Sequence, residues 1–205
     1  LKDGPSARRS TGARRNMEST EAILDAAEAV LVEAGPSGFS IEAVARRARA
    51  GKPTIYRWWP SKTALLLDAY QRQKRNVHYP DTGDLEEDIF LLLSDLFRYW
   101  RETPAGSIFR SVIAEAQSDA KASQALATYA AERRQRTASL ARQAQARGEL
   151  DDGADPLTVA DLVTSFAWTQ LLIDRLDDEP AIRAAARCIA SGALARQTMA
   201  RQTTE

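Results

Sequence analysis

Apolar residues recur along the chain at intervals of three and four, and no sustained alternation of apolar and polar positions appears. That spacing is helical, and the expected fold is all-α with about nine helices. Over residues 17–34, Ile23, Ala27, Val30 and Leu31 share one stripe, and Gly35, Pro36 and Gly38 then interrupt the pattern. A short helix is expected over 41–48 with Ser40 as its N-cap, and another over 52–59. Ser61 is placed to cap a fourth running to about His78, with Leu65, Leu66, Ala69 and Tyr70 inward. The stretch Tyr79-Pro80-Asp81-Thr82-Gly83 reads as a loop.

The second half predicts longer helices. Asp84, with Glu87 three residues on, resembles a capping box and opens a helix to about Glu102, ended by Thr103-Pro104-Ala105-Gly106. A shorter helix is expected over 107–117. Ser118 is read as the cap of a long one to about Arg147, stopped by Gly148. Pro156, after Asp155, suits a first helical position, and a last helix follows Asp178-Glu179-Pro180. Leu157, Leu162, Val163, Phe166, Leu171 and Ile173 cover more than one face of helix 156–174, as expected when both sides are buried. The last helix carries an Ile182, Ala186, Ile189, Ala193 stripe, with small residues beside it that permit close helix approach. The two helices are therefore expected to pair with their twins in a four-helix homodimer interface, through Leu162, Phe166, Ile173, Ile182, Ala185, Ile189 and Ala193.

Composition bounds the rest. A chain of 205 residues has ample capacity for a core, as one large domain or two small ones. Cys188 is the single cysteine and His78 the single histidine, which excludes a disulfide framework, a cysteine-rich zinc site and multi-histidine catalysis or metal binding within one chain. No metal or other cofactor is expected. No apolar run approaches the roughly 18 residues a membrane span needs. Arg8, Arg9, Arg14 and Arg15 have no apolar segment behind them, unlike a secretory signal. The chain starts at Leu1 rather than Met, so its extreme N-terminus is expected to be incomplete. A soluble, cytoplasmic protein is expected. Zero net charge hides an asymmetry: residues 1–75 hold 14 basic and 8 acidic side chains, while residues 76–205 hold 14 and 20. The excess of +6 followed by −6 fits a polyanion partner on one side only, although neutral proteins also show such imbalance by chance.

Residues 39–59 carry the chemistry. Helix Ile41–Ala48 leads through Arg49-Ala50-Gly51 into a second short helix, the arrangement of a helix-turn-helix whose second helix fits the DNA major groove. Val44, Ile55 and Trp59 are spaced to pack inward, which leaves Lys52, Thr54, Tyr56, Arg57 and Trp58 mostly outward. Cations and hydroxyls hold phosphates, and longer side chains near the helix start read base edges. A solvated helical hairpin is the plain alternative, but it has little use for Tyr56, Trp58 and Trp59 crowded among cations.

Ala48 to Lys62, A-R-A-G-K-P-T-I-Y-R-W-W-P-S-K, resembles the recognition segment of the TetR family of transcriptional repressors. Ile23-Leu24-Asp25-Ala26-Ala27, Gly35 and Phe39-Ser40-Ile41 match the family's first helix and the entry to its second. The match is specific over about residues 20–70. Stretches at Gly83–Asp88, Ala114–Gln117 and Arg147–Leu150 are similar to one subgroup's ligand domain. The resemblance implies a basic arm over 1–16, a DNA-binding domain over 17–60, a linking helix over 61–78 and a ligand-binding and dimerisation domain over 79–205. It implies phosphate contacts from Ser40 and Lys62, and a DNA face of Lys52, Pro53, Thr54, Tyr56, Arg57 and Trp58, with Tyr56 clamping the backbone. Arg14 and Arg15 of the arm are candidates for the minor groove or phosphates, or belong to a solvated tail. Three positions depart from the pattern. Gly51 replaces the usual capping residue, Arg49 stands where the turn commonly has Gly, and Trp58 replaces a basic residue or His. Trp58 suits either a thymine methyl or a fold-back onto the domain.

For the second half, the resemblance implies a small-molecule site. Phe97, Trp100, Phe109, Ile113, Tyr129, Phe166 and Trp168 lie on helices expected to converge, and suggest an apolar or aromatic effector; ordinary core is the alternative for each. The implied function is a homodimeric, ligand-responsive repressor of a palindromic DNA operator. Two alternatives stand beside it. One is a DNA-binding regulator controlled by a protein partner. The other is an all-helical enzyme holding magnesium-bound diphosphate on Asp151, Asp152 and Asp155, a string whose flanking Gly148, Gly153 and Pro156 read instead as a loop.

Overall fold

The computed structural model describes residues 11–74, 79–151 and 153–194. Among these residues the chain forms nine helices and no strand. They divide into two compact units, one ending at Gln73 and one beginning at Lys74. No helix among the described residues is long and apolar enough to cross a membrane.

The first unit holds α1 (Thr11–Gly38), α2 (Ile41–Ala48), α3 (Lys52–Trp58) and α4 (Lys62–Gln73). Helix α1 begins at Thr11, inside the stretch expected to be an arm, so the backbone at Arg14 and Arg15 is helical. Their side chains, and residues 1–10, lie outside the description. Gly35 breaks α1 at φ 63°, a left-handed conformation that glycine enters without steric penalty. The predicted inward residues of α1, Ile23, Ala27, Val30 and Leu31, are buried. They pack against α2 and α4, whose Val44, Leu65, Ala69 and Tyr70 are fully buried. Arg72, in the last turn of α4, reaches three carboxylates of α1: Glu21 at 3.2 Å, Asp25 at 2.7 Å and Glu28 at 3.3 Å. His78, the expected end of the fourth helix, lies outside the described residues; α4 itself closes at Gln73.

The second unit holds α5 (Leu85–Glu102), α6 (Ala105–Ala116), α7 (Ala120–Ala146), α8 (Pro156–Leu172) and α9 (Glu179–Leu194). Helix α5 is central and packs on the other four, which accounts for its burial of Leu85, Ile89, Leu93, Phe97 and Trp100. Asp84 caps it by accepting from the Glu87 amide at 2.9 Å. The reciprocal half of a capping box is missing. The Glu87 carboxylate instead takes Arg183 of α9 at 2.6 Å, and the Asp84 amide donates to the Thr82 hydroxyl. The cap of α7 is Asp119, accepting from Ala122 at 2.7 Å, rather than the neighbouring Ser118. Helix α6 starts hard against α5: a Cβ on Gly106 would lie 2.6 Å from the Trp100 carbonyl oxygen, so only glycine fits. Asp88 is fully buried beneath the 79–84 loop. It accepts from the Thr82 amide at 2.7 Å and hydroxyl at 2.8 Å, and Arg147 closes over it while pairing with Asp81 and Glu149. The loop is thereby tied to both α5 and the end of α7.

Candidate DNA-binding face and ligand cavity

In the first unit, burial sorts the recognition helix as its spacing demands. Ile55 is fully buried and Trp59 nearly so, while every other residue from Lys52 to Trp58 is exposed. Pro53 and Thr54 sit on the first turn of α3; Pro53 has no N–H to leave unpaired, and the Thr54 amide donates to the Gly51 carbonyl at 2.9 Å. Tyr56 and Trp58 are 49% and 43% exposed, unusual for side chains of this size without an occupant for them. Trp58 is not folded into the core; the Arg57 guanidinium lies 5.3 Å from its ring centroid, a cation–π contact. Lys52 forms an ion pair with Glu42 of α2, and its hydrogen bond holds the Glu42 carboxyl below the usual carboxylate range. A phosphate reaching Lys52 must therefore compete with Glu42.

The turn that presents α3 adopts the geometry its unusual residues make hard. Arg49 closes α2 in the left-handed region, φ 51° and ψ 37°, and its amide still satisfies the Ala45 and Arg46 carbonyls. Gly51 stands at the N-cap of α3 with no side-chain hydrogen bond. Ser40 accepts from the Ala43 amide at 3.1 Å, so its hydroxyl caps α2. Lys62 opens α4, where the cap is Ser61, accepting from Ala64 at 3.0 Å.

In the second unit the candidate pocket residues form one ring cluster. Phe97 stacks on Trp100 at 6.0 Å and on Phe166 at 6.1 Å; Trp100 stacks on Phe109 at 6.0 Å. Phe109 meets Tyr129 and Trp168, each at 5.4 Å. A cavity lies at the edge of this cluster. Trp100, Tyr129 and Trp168 line it; Phe97 and Phe109 contact those rings, and Phe166 stacks on Phe97. Ile113 is in neither set. Leu92, Leu93 and Leu96 of α5 and Val163, Thr164 and Ala167 of α8 add to its walls. It encloses about 40 Å³, space on the scale of one or two waters. Lys74, Tyr79, Arg133 and Thr137 also line it and went unrecognised in the sequence. Their only signal was position: Arg133 and Thr137 fall four and eight residues beyond Tyr129, on its face of α7.

The expected dimer residues divide. Leu162 of α8 and Ile173 at its C-cap are each more than half exposed, and so is the neighbouring Leu172, which was not among the expected interface residues. Phe166, Ala185 and Ile189 are half-buried. Ile182 is a correction: it is 5% exposed and packs, with Ala186 and Ala190, into its own unit's core. The stripe of an amphipathic helix marks an apolar side, not which neighbour covers it. The Ala193 side chain lies outside the described residues. The acidic string is a turn, as its glycines implied: Asp151 accepts from the Gly153 amide, and Asp155 caps α8 through the Leu157 and Thr158 amides. Hydrogen bonding from Leu157 foremost holds the Asp155 carboxyl below its ordinary range. Asp152 lies outside the described residues, and no cluster able to hold a metal occurs among those described.

Comparison with known proteins agrees with this architecture. The profile of bacterial regulatory proteins of the tetR family matches residues 23–69, and that of the tetracyclin repressor-like C-terminal domain matches residues 79–200. The HTH-type transcriptional regulator YdeS of Bacillus subtilis is 29% identical over 171 residues, 82% of this chain and 86% of that protein. The DNA-binding transcriptional repressor TetR of Mycobacteroides abscessus is 31% identical over 121 residues, 58% of this chain and 63% of that protein. The crystal structure of the TetR family transcription regulator SCO0332 superposes with a TM-score of 0.75 at 30% identity, covering 85% of this chain and 98% of that one. Two helical units, the first carrying an exposed helix-turn-helix, thus match a known group along nearly their whole length: the chain belongs to the TetR family of DNA-binding transcriptional regulators, which act as dimers and are not enzymes.

Proposed function

We propose that this chain is a repressor which holds a palindromic operator as a homodimer and leaves it when a small apolar or aromatic effector enters the second unit. The observation that carries the DNA side is the exposure of Lys52, Pro53, Thr54, Tyr56, Arg57 and Trp58 around a buried Ile55. Tyr56 and Arg57 project from a helix only 7 residues long, short enough to lie in one major groove. Ser40 and Lys62 flank it as phosphate contacts, with Arg14 and Arg15 of α1 as further candidates. Repression, rather than activation, is the role named for the Mycobacteroides abscessus relative.

Leu162 and Leu172 of α8 and Ile173 at its C-cap supply the dimer contact, with Phe166, Ala185 and Ile189 at its margins. Two-fold symmetry then sets two α3 helices one DNA turn apart, about 34 Å, and requires a palindrome. The effector occupies the cavity beside Trp100, Tyr129 and Trp168. At about 40 Å³ it is too small for a ring-sized ligand, so entry has to part α5, α7 and α8. That differential binding is what makes a ligand a switch. Coupling of about 1–3 kcal/mol changes operator affinity roughly 5–150-fold.

Selection of binding sites from sheared genomic DNA tests this reading. An enriched palindrome bound by two chains supports it. Enrichment of an asymmetric site, or of no motif, contradicts it. Extracts or small molecules that release the selected site then separate an effector-controlled repressor from one governed by a protein partner.

A further inference from the structure

The composition of the cavity wall narrows the effector's chemistry, given the reading of that cavity as the effector site. Among the described residues its lining contains two cations, Lys74 and Arg133, and no carboxylate. Lys74 is 9% exposed, although lysine is seldom buried this far. Arg133, on α7, sets its guanidinium 5.6 Å from the Tyr129 ring centroid. The positive end of the cavity is thus built onto an aromatic wall. Thr137, 7% exposed, and Thr164 add hydroxyl groups able to donate to an oxygen ligand.

We propose that the cavity selects an aromatic carboxylate, its ring held among Trp100, Tyr129 and Trp168 and its anionic group drawn to Lys74 and Arg133. The cation-lined wall also carries a consequence for protons. Burial first, and then Arg133 and Arg136 of α7, bring the Lys74 ammonium down to about 7. The residues that α5 and α8 contribute to the lining are uncharged, and Tyr79 and Tyr129 are the other titratable groups lining it among the described residues. A carboxylate beside Lys74 favours its charged form. Binding above neutral pH therefore takes up a proton. Lys74 also follows directly on Gln73, the last residue of α4, whose first residue is Lys62. An anion that fixes Lys74 acts one residue beyond the end of α4.

The test uses the whole chain with 1-naphthoate, benzoate and their neutral amides as probes. Titration calorimetry is run at pH 8 in two buffers of different ionisation enthalpy. The proposal expects each acid to bind at least tenfold more tightly than its amide, with net proton uptake. It expects Lys74→Met and Arg133→Gln each to bring acid and amide close to parity. Lys74→Met removes a buried charge and is expected to fold, and a circular dichroism melt checks both variants. Amides binding as well as acids would overturn the anion assignment while leaving the cavity an effector site. Acid preference unchanged in both folded variants would overturn the roles of Lys74 and Arg133. Absence of binding by all four probes would overturn the proposal and the cavity reading together, with operator selection still deciding whether the chain is a regulator.

Discussion

The indole nitrogen of Trp59 donates to the Asp68 carboxylate at 2.7 Å, tying the residue that closes α3 to the second turn of α4. Trp59 is 4% exposed, so its N–H has lost water and needs this acceptor. The contact fixes the angle at which α3 leaves the domain. Asp68→Ala is expected to destabilise the protein by about 1.5–2 kcal/mol, the lower part of the range for a hydrogen bond to a charged group because Asp68 is itself exposed. It is also expected to weaken operator binding although Asp68 is not on the DNA face. Urea unfolding and operator titration check the two effects separately.

The turn before α3 carries removable strain. Arg49 occupies the left-handed region at φ 51°, where a side chain costs about 1–2 kcal/mol. Arg49→Gly relieves that while adding freedom to the unfolded chain, so a net gain of up to about 1 kcal/mol is expected. Gly51 has ordinary extended dihedrals, φ −72° and ψ 144°. A Cβ there would meet nothing closer than 3.6 Å, and serine adds a cap for α3. Gly51→Ser is expected to stabilise by about 0.5–1 kcal/mol. A fall in melting temperature for either variant would contradict the turn described above.

Lys74 makes stability depend on pH in a defined direction. Its folded value of about 7 lies below the ordinary lysine value of 10.5, so between these the unfolded chain binds more protons and stability rises with pH. Below about pH 7 the full penalty of the buried ammonium is present. Thermal melts from pH 6.5 to 9.5 are expected to show Lys74→Met more stable than the parent at the low end, with the gap closing as pH rises. A gap independent of pH would contradict this.

The exposed apolar set of α8 has to be covered in the dimer. Leu172 and Ile173 are each 53% exposed and Leu162 is 51% exposed. Leu172→Glu and Leu162→Glu place charge where two copies would exclude water, at a cost large enough to break the contact. Sedimentation at micromolar concentration is expected to show dimers for the parent and monomers for the variants, with the helix content retained. Dimeric variants would move the interface elsewhere.

Much of this was legible in the sequence, and the failures have identifiable causes. The 3.6-residue period separates Ile55 from Tyr56 without any structure, because one must pack and the other cannot. Caps are local, so Ser40, Ser61 and Asp84 are legible from neighbouring residues alone. Where two capping types adjoin, as at Ser118 and Asp119, local pattern does not choose between them. Glu87 shows tertiary competition: Arg183, 96 residues away, takes the carboxylate that a capping box would use. Ile182 reads as an interface residue in the sequence because an apolar stripe does not reveal whether its cover is the same chain or another. Lys74 and Arg133 are not legible in the sequence for a related reason. A charged residue on a helix reads as solvated until the packing of α5, α7 and α8 places it against a cavity.

The most direct test of the DNA-reading face is titration of the selected operator with the parent chain, Tyr56→Ala and Lys62→Ala at two salt concentrations. The account predicts roughly tenfold or greater losses for both variants, with Lys62→Ala lowering the salt slope by about one. Tyr56→Ala is expected to weaken binding with little change in that slope. Folded variants that bind as tightly as the parent, with an unaltered salt dependence, would contradict the assignment of α3 and the start of α4 as the surface that holds DNA.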